Sequence, residues 1–96
     1  MIELTDETLS RIETLFPQDR DEVERLLREE CADNLPLWVE TTPEGLERIR
    51  FAVLKLSNGD ITALREHIRI AQIDWRDVLV AAGFGHDPRA HEAWAP

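Results

Sequence analysis

Short apolar stripes alternate with polar breaks along this chain, and the spacing inside each stripe is helical. Leu9, Ile12, Leu15 and Phe16 recur at three- and four-residue steps, as one face of an amphipathic helix requires. Thr5 stands ahead of them as an N-cap, acids fill the first turn, and Leu4 is placed to staple onto Leu9. Pro17 ends the run, because proline disfavours helical backbone in the residue before it. Val23, Leu26, Leu27 and Cys31 form the second stripe behind Asp19-Arg20-Asp21-Glu22, a sequence suited to a capping box. Asn34-Leu35-Pro36 stops it. The following LPLWVETT is too apolar for an exposed loop, so Trp38 is expected to lid one end of the core.

Thr42-Pro43-Glu44 then predicts a third helix, with a cap, a proline at the first helical position and an acid in the first turn. Leu46, Ile49, Val53 and Leu56 make its main stripe, and Phe51, Ala52 and Leu54 widen it past a single face. A helix apolar on several sides belongs at the centre of a bundle. Ser57-Asn58-Gly59-Asp60 closes this helix and opens a fourth, whose stripe is Ile61, Leu64, Ile68 and Ala71. DWRDVLVAAGFG, residues 74–85, predicts a short fifth helix. Asp74 is its N-cap, Asp77 occupies the capping-box position, and Trp75, Val78, Leu79 and Ala82 share a face. Gly83 supplies the left-handed stop, and Phe84 folds back onto that face.

The expected fold is therefore all-α, a compact bundle of four to five short helices around Pro43–Ser57, forming one domain over residues 1–85. The tail 86–96, HDPRAHEAWAP, has room for one further turn starting at Asp87-Pro88. It is expected to fray unless Trp94 docks on the bundle.

Composition adds the compartment and the charge. Ninety-six residues, 43% of them apolar and 32% charged, are enough for one core. A lone cysteine excludes an internal disulfide and a Cys-based zinc cluster, which points to a reducing compartment, the cytosol. The opening MIELTDETLS carries acids where a signal peptide needs bases, and no apolar run approaches membrane-spanning length. Neither secretion nor membrane insertion is expected.

The formal charge of −9 is unevenly placed. Through Glu47 there are 14 acidic and 4 basic residues, net −10; from Arg48 onward there are 6 and 7, net +1. Binding to a phosphate backbone needs clustered cations, so nucleic acid is disfavoured, unless Arg48, Arg50, Arg65, Arg69 and Arg76 gather on one face. A protein with a basic surface is the better partner. Glu22, Glu24, Glu29, Glu30 and Trp38 are the candidate contact residues, and a homo-oligomer seamed by Trp38 or Trp94 is also compatible with the sequence.

Catalytic machinery is sparse. There is no Gly-rich phosphate loop, GxSxG elbow, HExxH or CxxC, and no catalytic residue, cofactor or metal ligand is assigned. The competing assignment is a small metal-binding protein or hydrolase using His67, Asp74 and Asp77, with His86 added. Capping already accounts for both aspartates, and Cys31 falls on the core stripe, where a small apolar residue belongs. His86 and His91, with Asp87 and Glu92, form only a weak metal set, because a five-residue spacing does not share one helical face.

The stretch ERIRFAVLKLSNGDITALREHIRIAQIDWRDVLVAAGF, Glu47 to Phe84, resembles the C-terminal part of small uncharacterised bacterial helical proteins with an SNGD turn and a DWRDLLVAAGF-like ending. The resemblance covers about two-fifths of the chain, implies a bacterial origin and a helical fold, and transfers no functional residue. The SNGDI turn is also similar to that of the ubiquitin-associated three-helix domain, but the Met-Gly-Phe or Met-Gly-Tyr binding loop of that domain is missing. The expected role is a non-enzymatic acidic interaction module, in its sharpest form an immunity or antitoxin-like protein; a DNA-mimic inhibitor would use the same charges.

Overall fold

Thr5, Asp60 and Asp74 each do at a helix start what their side chains suggest. In the computed structural model, which describes residues 3–32, 35, 43–87 and 89–96, Thr5 Oγ1 accepts from Thr8 N at 3.2 Å and opens α1, Asp6–Leu15. Asp60 Oδ1 accepts from Thr62 N at 2.8 Å and Ala63 N at 3.4 Å, opening α4, Ile61–Ile73. Asp74 Oδ1 accepts from Arg76 N at 3.0 Å and opens α5, Trp75–Ala81. Between them lie α2, Arg20–Glu30, and α3, Pro43–Ser57, and a 3₁₀ turn follows at Ala90–Ala93. No strand occurs among the described residues, and the fold is all-α with five short helices.

Two expected capping boxes do not close. Asp19 precedes α2 but makes no side-chain cap bond, because Glu22, the acid that would return the bond, is drawn outward to Arg25 and to Arg65 on α4. At α5 the Asp74 carboxylate takes the amide of Arg76 rather than that of Asp77. The expected cap Thr42 and the lid Trp38 lie outside the described residues.

The helix stops follow from backbone handedness. Asn58 and Gly59 both take positive φ, 50° and 81°, and turn the chain from α3 into α4. A Cβ on Gly59 would stand 3.2 Å from the carbonyl oxygen of Leu15, so the turn also fits closely against the end of α1. After α5, Gly83 has φ 81°, Phe84 N donates to Leu79 O at 2.8 Å and Gly83 N donates to Val80 O at 3.1 Å. That pair of bonds is the Schellman stop, and its customary apolar contact is present in the buried Leu79 and Phe84.

α3 packs against α1, α4, α5 and the C-terminal turn, while α2 closes the bundle against α1 and α4. Leu46, Ile49, Phe51, Ala52, Val53 and Leu54 on α3 are all buried, as the widened stripe predicts. Each large one contributes about 1.5–3 kcal/mol by leaving water. Val23, Leu26, Leu27 and Cys31 come from α2, Leu64, Ile68 and Ala71 from α4, and Val78, Leu79 and Ala82 from the α5 face. In the tail, Trp94 packs against the core and the 3₁₀ turn rests on α3.

The sequence pattern did not announce Arg50, which is only 2% exposed among these apolar residues. Its Nη2 donates to Leu27 O at 3.2 Å, its Nε to Cys31 O at 3.1 Å and its Nη1 to Glu3 O at 3.3 Å. The last carbonyls of α2 have no partner inside their own helix, so a cation from α3 completes that end and complements its dipole. Replacing Arg50 with Met leaves those buried carbonyls without donors. Urea denaturation of Arg50→Met is expected to show a loss of roughly 3 kcal/mol, whereas the exposed Arg69→Met should stay within about 0.5 kcal/mol of the parent. Equal stability of the two variants would contradict this assignment.

Candidate functional site

The four glutamates proposed as a contact surface are brought to the α2 side of the bundle, where most already have cationic neighbours. Glu22 Oε1 accepts from Arg25 Nε at 2.8 Å and Glu22 Oε2 from Arg65 Nη2 at 2.8 Å. Glu24 faces Arg20 at 3.7 Å and Arg28 at 3.4 Å, and Glu29 faces Arg25 at 3.4 Å. Glu30 takes the Gln72 side-chain amide at 3.2 Å. Such solvent-facing pairs contribute about 0–1 kcal/mol each, so they matter less for stability than for charge, which they locally cancel. Trp38, the fifth candidate, lies outside the described residues.

A different set of acids is left without cations. Among the described residues, Asp6, Glu7 and Glu13 on α1 and Asp19 in the α1–α2 turn have no ion-pair partner, and Asp21 is 97% exposed with Arg20 at 4.0 Å. Asp19 and Asp21 line a shallow hollow with Pro17, Gln18, Arg20 and Glu22. Helix periodicity revealed these acids only as an outer face; which of them would be neutralised depended on partners from other helices.

The residues of the competing assignment do not converge. Asp74 caps α5 and receives Arg76 Nε at 3.0 Å and Nη2 at 3.1 Å, and these donated hydrogen bonds hold its carboxyl below the usual range. Asp77 is exposed on α5, His67 is half-buried on α4 and His86 is exposed beyond α5. Among the described residues, no three His, Cys, Asp or Glu side chains gather in a way that could hold a metal ion. Cys31 is fully buried, and burial pushes its thiol up to about 12, so it stays protonated at neutral pH.

Nor do Arg48, Arg50, Arg65, Arg69 and Arg76 make one free cationic face, and of the five Arg69 is exposed on α4. Arg50 is in the core, Arg65 is held by Glu22 and Arg76 by Asp74. Arg48 Nη2 donates to Phe84 O at 2.5 Å and to Asp87 O at 3.4 Å. Lys55 Nζ likewise donates to Ala82 O at 2.8 Å and lies 5.0 Å from the centre of the Phe84 ring. Lys55 thus completes the carbonyl end of α5, as Arg50 completes that of α2, and Arg48 holds the turn that follows.

Sequence reasoning passed over two exposed apolar residues, Ile73 at 70% and Val80 at 72% exposure. Val80 borders a shallow hollow with Arg48, Trp75, Arg76, Leu79 and Gly85. The signal was present: both residues fall outside the stripes of their helices and have no core position to fill.

No helix among the described residues is long and apolar enough to cross a membrane. Comparison with protein-family models, with curated proteins and with solved structures gives no match, so no residue role comes from a relative.

Asp74 is the residue on which a cap and a catalytic acid make opposite demands. Asp74→Ala is expected to lower the thermal midpoint by several degrees, Asp74→Asn to recover most of that, and Asp77→Ala to change little. The folded-state pKa of Asp74 is depressed, so its contribution is present above its ordinary value of 3.8 and disappears as pH falls through the lower folded value. The gap between parent and Asp74→Asn should therefore close in strong acid, as followed by thermal melts across pH.

Proposed function

We propose that this chain is a non-enzymatic interaction module of the bacterial cytosol that presents the acidic surface of its first two helices to a basic protein. One observation supports this above the rest: among the described residues, Asp6, Glu7, Glu13 and Asp19 have no ion-pair partner, whereas the neighbouring arginines of α2 are engaged by other glutamates. Unpaired carboxylates in water retain their field, and a net charge of −9 adds to it at long range. Such a field accelerates encounter with a cationic surface and disfavours acidic competitors.

The sharpest form of the proposal is an immunity or antitoxin-like role, in which a small acidic helical domain covers the basic surface of a toxin. In that role α1 and the α1–α2 turn steer the partner, and Glu22, Glu24, Glu29 and Glu30 contribute mainly as charge already shared with arginine.

Affinity capture from the native host at low and high salt supplies the partner, and stopped-flow association then tests the mechanism. Reversing Glu13, Asp19 and Asp21 together to Lys is expected to slow association by about tenfold at low ionic strength and to flatten its salt dependence. The same reversal at Glu22 and Glu24 should slow it less, because Arg20, Arg25, Arg28 and Arg65 already offset those charges. Unchanged on-rates for the first set would remove the electrostatic proposal.

A further inference from the structure

The C-terminal turn is fastened to the bundle at a buried histidine and an arginine. Arg11 on α1 donates through Nε and Nη2 to Trp94 O at 3.2 and 2.8 Å. The same guanidinium lies 4.2 Å above the Phe51 ring, and Trp94 meets Phe51 edge-on at 6.0 Å. His91 is 3% exposed, its ring edge-on to Phe51 at 5.4 Å and to Phe84 at 6.3 Å. Residues 90–94 thus lie over an aromatic floor made by α3 and the end of α5.

The two ring nitrogens of His91 have unequal surroundings. Nε2 faces Glu47 Oε2 at 4.0 Å, while Nδ1 is buried and has no hydrogen-bond partner. A neutral imidazole with its proton on Nε2 leaves only an acceptor at Nδ1. An imidazolium must donate from both nitrogens, so its second N–H would sit among aromatic rings with nothing to receive it.

We propose that protonation of His91 unlatches residues 90–94 from α1 and α3 and uncovers the Phe51–Phe84 surface beneath them. This device borders the acidic surface at Glu7 but does not depend on the role of that surface.

The charged groups around the ring act in both directions. Glu47 on α3 and Glu92 on the turn itself favour the imidazolium, while Arg48 on α3 and Arg11 on α1 oppose it. Glu7 of α1 lines the adjoining hollow with Arg11, Glu47 and Glu92. Glu47 is partly occupied, since its Oε1 accepts the Thr5 hydroxyl. Burial is the largest influence and holds His91 below its ordinary value of 6.5. The docked turn therefore prefers the neutral ring. Its docking is fully favourable above pH 6.5, weakens as pH falls below that value, and levels off once the docked form also protonates.

Hydrogen exchange reads this directly, because Glu92 N donates to Arg89 O and Trp94 N to His91 O at 3.1 and 3.2 Å. After correction for intrinsic rates, protection of those two amides is expected to fall by up to about tenfold per pH unit below 6.5 in the full chain. His91→Phe keeps a ring in the aromatic site but has no proton to gain, so its protection should stay flat from pH 8 to 5. Glu47→Gln removes a charge that favours the docked imidazolium, so its protection at pH 5 should fall below that of the parent. That variant keeps an oxygen for the Thr5 hydroxyl and serves if His91→Phe does not fold. A flat parent profile, equal falls in parent and His91→Phe, or greater protection in Glu47→Gln at pH 5 would each overturn the proposal.

Discussion

Helices leave carbonyl groups without partners at their C-terminal ends, and in this bundle the central helix supplies cations to complete them. Arg50 does so for α2 from within the core; Arg48 and Lys55 do so for the end of α5 and the turn after it. A buried guanidinium is tolerated when its donors find acceptors, and three main-chain oxygens on two separate segments receive those of Arg50. Without that donor, the end of α2 would meet the apolar face of α3 with bare carbonyls. The C-terminal end of α2 is thus held by a side chain from α3, while its apolar face packs against α1 and α4.

The same arrangement accounts for how charge is distributed over the surface. The back half has slightly more bases than acids, yet Arg48, Arg50 and Lys55 donate to backbone oxygens, and Arg65 and Arg76 are held by carboxylates. A cation bound in this way contributes little to a free basic face. On the front half, the arginines of α2 offset the glutamates beside them, and the acids of α1 and the following turn remain. The sequence count of charges thus describes the total, while the fold decides where it is felt.

Much of the fold was legible because stripes and caps are local. Val23, Leu26, Leu27 and Cys31 had to share a face whatever surrounded them, and Thr5, Asp60 and Asp74 needed only the amides two or three residues ahead. The stop at Gly83 and Phe84 was equally self-contained. Local rules failed where a distant partner competed: Glu22 answers to Arg65, 43 residues away, rather than to the start of its own helix. Arg50 was illegible for the same reason, since a charged residue inside an apolar stripe suggests a surface position until the end of α2 is brought against it. In the candidate site, the positions of the acids along the chain were readable, but their pairing was not.

Asp74 is at once the last cap of α4, donating its amide to Ile70 O at 2.8 Å, and the first cap of α5. Two rods that share a single residue as their joint have no slack between them. A push on the exposed side of α5, at Val80 for instance, must therefore tilt α4 as well or break the joint. Any contact made there would be felt along a lever of two helices rather than absorbed in a loop.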